Sequence, residues 1–193
     1  MSKDLFKSLL DNQISLMQKI KTDDALHNNI HSAASNIISA LKKKLPLLVM
    51  GNGGSATDAS HFTGELLGKF IYERKPLNAK CLNSEIAAIT AISNDEDYSQ
   101  IFARQVRAYA RPKGIVFGIS TSGNSENIVN AFKEANDNKM LTIALTGFGG
   151  GRLKNYSDIL LDVPSKETPR IQELHTIIYH YICLLIDIEF RDD

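Results

Sequence analysis

Four hydroxyls crowd one short stretch of this chain, Ser120, Thr121, Ser122 and Ser125, within Ile119-Ser120-Thr121-Ser122-Gly123-Asn124-Ser125. The stretch follows an apolar run and precedes a helix-like one. Backbone N–H groups and the positive end of a helix are therefore expected beside the hydroxyls, and together they suit the oxygens of a phosphate monoester. Gly123 permits close backbone approach and Asn124 a left-handed turn. Taken alone, Ser125 reads as an ordinary N-cap for a helix starting near Glu126; four hydroxyls at one strand end favour the anion. A second loop, Met50-Gly51-Asn52-Gly53-Gly54-Ser55, has the same setting. Its GNGGSA also fits the dinucleotide pattern G-x-G-x-x-A. That pattern asks for an acidic residue closing the second strand, whereas this chain has Cys81-Leu82-Asn83 there, with Glu85 two residues late.

Two pairs of side chains could do proton or metal chemistry. His61 and Glu65 are four residues apart and share one helix face within about 40°, while Gln172 and His180, eight apart, lie about 80° apart in projection. If the pairs converge, they offer either a general base with a general acid or a metal site of His-Glu-Gln-His type. Each residue also has a plainer reading. A single histidine on an apolar helix is commonly a core residue, and Glu65 could pair with Lys69 one turn on. Asn94 and Asp95 are expected in a loop after a helix over Ser84 to Ile92, as turn and cap formers or as polar groups for a ligand.

The elements that must hold these residues follow from hydrophobic spacing. Residues 3 to 44 read as two helices, with Leu5, Leu9, Leu10, Ile14, Met17 and Ile20 on one stripe and Ile30, Ala34, Ile37, Ile38 and Leu41 on another. The break falls near Lys21 to Asp24, with Thr22 as the expected cap. Short apolar runs at Leu47–Met50, Ala79–Leu82, Gly114–Ile119, Leu141–Leu145 and Ile159–Val163 alternate with helical segments. Five such strands imply an α/β doubly wound, flavodoxin-like parallel sheet flanked by helices, with ligands outside the carboxyl ends of the strands. We expect a single domain over 1–193, with a helical segment 1–44 leading into an α/β core and C-terminal helix over 45–193. That last helix, Arg170 to Phe190, is apolar nearly all round, so subunits are expected to pack there and elsewhere.

At 193 residues the chain can bury about two thirds of its unfolded surface without a metal or disulfide. Lysine plus arginine and aspartate plus glutamate both total 22, so no bulk field draws it to nucleic acid or an anionic membrane. Cys81 and Cys183 are far apart in apolar stretches, which suits two buried, reduced thiols in a cytoplasm. The N-terminus lacks the continuous apolar core of a signal peptide. The most apolar segment, Leu174 to Ile186, has 13 residues where a span needs about 20.

Read together, GNGGSATDASHFTGELLGKF, the AISND loop, GISTSGNS, LTG followed by glycines, and RIQELH resemble the sugar isomerase (SIS) fold, and within it the phosphoheptose isomerases. The likeness runs from about Leu47 to Asp187. It implies a homotetramer with active sites between subunits. The reaction implied is the isomerisation of sedoheptulose 7-phosphate to D-glycero-D-manno-heptose 7-phosphate, which opens bacterial heptose biosynthesis for lipopolysaccharide, capsule or another glycan. By motif, Ser120, Thr121, Ser122 and Ser125 match the family's phosphate binders, and Asn52, Gly53, Gly54, Ser55, Asn94 and Asp95 match residues lining the sugar. Glu65 matches the base and His180 the acid. His61, Glu65, Gln172 and His180 match residues that hold zinc, one ion per subunit, in members where a metal has been described.

The same fold includes a non-catalytic bacterial regulator of replication initiation, similar in its GNG and RIQE blocks, which lacks the glutamate and the second histidine. Both are present here, which favours the enzyme. Three segments depart from the isomerase pattern. Asn83-Ser84-Glu85 stands where threonine or serine with aspartate is usual, Phe148 where lysine is common, and Lys166-Glu167-Thr168-Pro169 precedes RIQE.

Overall fold

The computed structural model describes residues 3–191. Its N-terminal part is two helices, α1 (Lys3–Lys21) and α2 (Asp24–Lys42). They break where expected, but Thr22 does not cap the second helix. Its hydroxyl turns back to donate to the carbonyls of Gln18 and Lys19, and Asp23 takes the N-cap, accepting from the Leu26 N–H at 2.9 Å. A carboxylate one residue nearer the helix both pairs with an orphan donor and complements the positive helix end.

Five strands follow: β1 (Leu47–Gly51), β2 (Ala79–Cys81), β3 (Ile115–Ser120), β4 (Leu141–Thr146) and β5 (Ile159–Asp162). All pair in parallel, in the order β2-β1-β3-β4-β5. This is the doubly wound, flavodoxin-like arrangement that the alternating apolar runs imply. The order reverses between β1 and β3, whose ends are level, Gly51 standing beside Ile119. Both serine-rich loops therefore leave the sheet at its switch point, where the diverging connections open a crevice.

Side chains alternate across the strands and sort the core into two layers. Leu47, Val49, Phe117, Ile119, Ile143 and Leu161 face α2, α3 (Gly54–Leu67) and α7 (Thr168–Phe190). Leu48, Met50, Val116 and Ala144 face α5 (Ile101–Tyr109) and α6 (Glu126–Asp137). The consequence for function is that α3 and α7 share one face of the sheet. Within the chain, α7 is already covered on most sides, with Ile171, Leu174, Ile178, Ile182 and Ile186 buried and Ile177, Tyr181 and Ile188 exposed. The larger uncovered apolar surface belongs instead to α1, where Leu5, Phe6, Leu9, Leu10, Ile14 and Met17 are exposed and Leu16 reaches the core.

The helix expected over Ser84 to Ile92 is shifted. A 3-10 turn occupies Leu82–Ser84 and α4 runs Ile86–Asp95. Asn94 and Asp95 thus form its last turn rather than a loop, because no glycine or proline interrupts the run and Asp97 caps the turn that follows, accepting from the Ser99 N–H.

Candidate active site

The hydroxyl loop joins β3 to α6. Ser125 holds the N-cap position of α6, yet no side-chain hydrogen bond caps this helix. Its hydroxyl instead meets that of Ser120 at 3.0 Å, while Ser120 Oγ accepts from the Gly123 N–H at 3.2 Å. The plain capping role is thus excluded by geometry, and the hydroxyls are turned toward each other at a positive helix end. Gly123 has φ +65°, and a Cβ there would lie 2.1 Å from the carbonyl oxygen of Gly150. The close approach that this glycine permits is therefore made by a neighbouring loop. That loop follows β4, and donates from Gly147 to Thr121 O, from Leu153 to Gly123 O and from Arg152 to Asn124 Oδ1. Its clamp fixes the hydroxyl loop in place.

The first loop lies alongside. Asn52 and Asn127, the latter on α6 and 2% exposed, exchange two amide hydrogen bonds of 2.9 Å, and the Tyr98 hydroxyl also donates to Asn52 Oδ1 at 2.9 Å. Asn83 pins the strand end from the other side: its amide donates to Gly51 O and accepts from Gly51 N–H. An aspartate could only accept, so the departure at Asn83 supplies a two-way clamp. Glu85, the residue nearest to a ribose-binding acid, pairs with Lys80 at 2.7 Å. Ser55 is buried in the first turn of α3, Gly53 turns the chain at φ +56°, and a Cβ on Gly54 would lie 2.4 Å from Gln172 Nε2.

On the seam between α3 and α7, the first pair meets one member of the second: His61, Glu65 and His180 converge. The ligand atoms of His61, Glu65 and His180 all lie within 4.8 Å of one another. His61 Nε2 meets Glu65 Oε1 at 3.0 Å, so Glu65 does not pair with Lys69, which joins Glu73 instead. The His61 and His180 rings sit edge to face at 4.9 Å, and His180 is walled by Tyr179 at 4.9 Å and Phe70 at 5.4 Å. Burial holds the His180 imidazole below its ordinary range, His61 adds to this and Glu65 opposes it. His180 Nε2 is buried without a hydrogen-bond partner. Two imidazoles and a carboxylate with one orphaned nitrogen are the donor set a zinc ion takes, so the residues fit a metal. Gln172 lies two turns before His180 on α7, with its Nε2 against Gly54 at the first loop.

A strap after α3 completes the wall. The side chains of Arg74 and Asp187 are fully buried; Arg74 Nε donates to Asp187 Oδ1 at 2.6 Å, and Asp187 Oδ2 accepts from the N–H groups of Ile71 and Tyr72 at 2.7 Å. The guanidinium also donates to the carbonyls of Glu65 and Leu66 at 2.7 and 3.0 Å, satisfying the carboxyl end of α3. Phe70 is thereby held over His180 and the Glu65 backbone is fixed.

Asn94 and Asp95 do not join either cluster; exposed, they pair with each other at 2.8 Å. Sequence reasoning missed Asp58, Asn127, Tyr98, Tyr179, Arg74 and Asp187. A polar stripe Asp58-His61-Glu65 at i, i+3 and i+7 could have revealed Asp58; the others are contacts between distant segments with no local signal. Cys81 and Cys183 are free and buried, as read. Among the described residues no helix is long and apolar enough to cross a membrane.

Comparison with known proteins gives one consistent answer. The SIS domain family matches residues 10–147. A phosphoheptose isomerase of Helicobacter pylori (strain ATCC 700392 / 26695) is 46% identical over 167 residues, 86% of this chain and 85% of the relative. One of Aliarcobacter butzleri (strain RM4018) is 43% identical over 185 residues, covering 96% of both. The solved structure of a phosphoheptose isomerase from Francisella tularensis superposes with a TM-score of 0.91 at 44% identity, over 97% of this chain and 100% of that one.

Proposed function

The chain belongs to the SIS domain family and, within it, to the phosphoheptose isomerases; on that premise we propose that it converts sedoheptulose 7-phosphate to D-glycero-D-manno-heptose 7-phosphate, with Glu65 as base and His180 as acid. The observation that carries the residue assignment is the convergence of His61, Glu65 and His180 at one point on the α3–α7 seam. The reading as a non-catalytic regulator is not favoured, since the curated relatives reported above are phosphoheptose isomerases and both residues the regulator lacks are in this group.

The reaction moves one proton between carbons and one between oxygens. Glu65 takes a proton from C1 of the ketose, leaving an enediol, and returns it to C2. His180, a neutral imidazole by virtue of its burial, passes a proton from the C1 oxygen to the C2 oxygen. Phe70 and Tyr179 exclude water around that ring. The cup of Ser120, Thr121, Ser122 and Ser125 grips the phosphate far from the reacting carbons, so its binding energy sets the register of the sugar. Asn52, Gly53, Gly54, Ser55 and Gln172 line the path between cup and base, and Asn94 and Asp95 act on a sugar only if a neighbouring subunit brings them to it.

His61, Glu65 and His180 would hold one zinc ion per subunit, with Gln172 as the fourth ligand. When bound, the metal supplies Lewis acidity that polarises the carbonyl and stabilises charge on the sugar oxygens. Glu65 would hold the ion through one carboxylate oxygen, leaving the other free to take the proton. The assembly we propose is a homotetramer in the cytoplasm, where buried thiols stay reduced; the exposed apolar stripe of α1, and Ile86 at 72% exposure on α4, support burial by further copies. Phe148 and the segment 166–169 lie near the cup and bear on sugar choice. Pro169 itself falls in the first turn of α7, a favourable place for proline.

The test is direct. Purified protein incubated with sedoheptulose 7-phosphate, with and without a chelator and followed by NMR, should form the aldose phosphate. No conversion under either condition would sink the assignment.

A further inference from the structure

Tyr179 is 1% exposed, and its hydroxyl needs partners inside the protein. It stands one residue before His180 on α7, its ring stacked on Phe62 at 5.8 Å. The hydroxyl meets His61 Nδ1 at 3.1 Å and reaches Thr176 Oγ1 only at 3.5 Å. Asp58, one turn before His61 on α3, stands within reach of the same hydroxyl. Asp58 Oδ2 is buried with no hydrogen-bond partner.

These contacts have a shared logic. A neutral imidazole carries its proton on one nitrogen and a lone pair on the other, so the partner at Nδ1 must suit whichever form Nε2 leaves behind. A carbonyl could serve only a protonated Nδ1. A hydroxyl serves both. When His61 Nε2–H donates to Glu65, the Tyr179 O–H donates to Nδ1. When Nε2 offers its lone pair to a cation, Nδ1–H donates to the Tyr179 oxygen, and the phenol proton turns to the orphaned Oδ2 of Asp58.

We propose that Tyr179, backed by Asp58, is a positioning residue that holds the His61 ring by Nδ1 in either tautomer, so that Nε2 can serve the Glu65–His180 group without the ring turning. The inference rests on the reading of that group as a metal centre. Partners behind a metal-binding histidine typically contribute about 10- to 100-fold to metal affinity.

The experiment measures zinc affinity of the full chain by competition with a chromophoric chelator, for the wild type, Tyr179→Phe, Asp58→Asn and the double variant, with thermal unfolding of each zinc-free protein as a control. Phenylalanine keeps the ring on Phe62. Tyr179→Phe should weaken zinc binding about 10- to 100-fold, and Asp58→Asn should weaken it in the wild-type background but not in the Tyr179→Phe background, because Asp58 acts through the hydroxyl. In turnover, kcat should fall while KM for sedoheptulose 7-phosphate stays unchanged. Unaltered zinc affinity in Tyr179→Phe, or an Asp58→Asn penalty equally large in both backgrounds, overturns the proposal. Should Tyr179→Phe not fold, Asp58→Asn alone decides, and unaltered affinity there overturns it. Failure of the metal reading is distinct: the wild type then binds no zinc, or binds it equally well after His61→Gln, and the inference falls with it.

Discussion

Arg74 and Asp187 form an ion pair at 2.6 Å with neither side chain exposed, and the same guanidinium donates to the backbone carbonyl of Glu65. The backbone of the proposed base is therefore tied to a buried charge pair. Every oxygen of Asp187 is engaged, by Arg74 on one side and by two strap N–H groups on the other. Burial alone would raise the Asp187 carboxyl; these donors outweigh it and hold the carboxyl below its ordinary range.

Removing one partner of this pair leaves an unpaired buried charge. Arg74→Met should cost about 3–5 kcal/mol of stability, read as a lower urea midpoint with an unchanged slope. Since the Asp187 carboxyl is lowered on folding, its stabilisation is present at neutral pH and is lost as acid protonates it. A variant as stable as the wild type would show that the pair does not brace α3.

Glu65→Gln keeps the volume and the capacity to meet His61 but cannot accept a proton from carbon. Turnover should fall by about 10²- to 10⁴-fold, while the phosphosugar still binds, as calorimetry would record. Near-normal turnover would remove Glu65 from the role of base.

Ser120→Ala deletes a hydroxyl that is 4% exposed and faces Ser125 across the cup. One hydrogen bond to an anion contributes about 1.5–3 kcal/mol, so KM should rise roughly 10- to 100-fold with kcat little changed. Steady-state kinetics with sedoheptulose 7-phosphate checks this, and an effect confined to kcat would place the phosphate elsewhere.

His175 is fully buried, and the Thr146 backbone lies near its ring but too poorly aligned for an ordinary hydrogen bond. Burial pushes its imidazole down to about 4, and the Thr146 backbone only partly opposes this. Between that value and the ordinary one near 6.5, the unfolded chain binds the proton and the folded chain does not, so folding stability falls as pH drops through this window. The loss approaches about 3 kcal/mol as the pH falls to about 4. His175→Met should abolish that part of the pH dependence while leaving neutral-pH stability within about 1.5 kcal/mol. Identical pH profiles of unfolding would contradict it.

Placing lysines at Leu10 and Ile14 charges the exposed stripe of α1 without touching the core. If this stripe packs against other copies, the Leu10→Lys, Ile14→Lys protein should sediment as a smaller species and lose turnover. Unchanged sedimentation would move the interface to another face.

How much was legible depended on the range of the interaction. The strands at Leu47–Met50 and Ile159–Val163 were visible because apolar runs bounded by turn residues are local signals, and their ends agree with the sheet to within a residue. The cup was visible because its four hydroxyls are neighbours in sequence. The cap at Thr22 and the loop at Asn94 failed for an equally local reason: adjacent residues with similar turn and cap chemistry compete, and small differences in geometry choose Asp23 and extend α4. The ion pair of Arg74 with Asp187 spans a separation no spacing rule can see.

By itself, the sequence determined the layer architecture, the two loops at strand ends and the four side chains suited to proton or metal work, since all of these follow from periodicity and residue type. Only the tertiary structure decided that His61, Glu65 and His180 share one point, that Gln172 packs against Gly54, that Ser125 faces Ser120 instead of capping its helix, and that Tyr179 and Asp58 stand behind His61. The physical reason is that chemistry at a site depends on separations of a few ångströms between helices. Those are set by how α3 and α7 pack on a common face of the sheet, a result of the whole core and of no single segment.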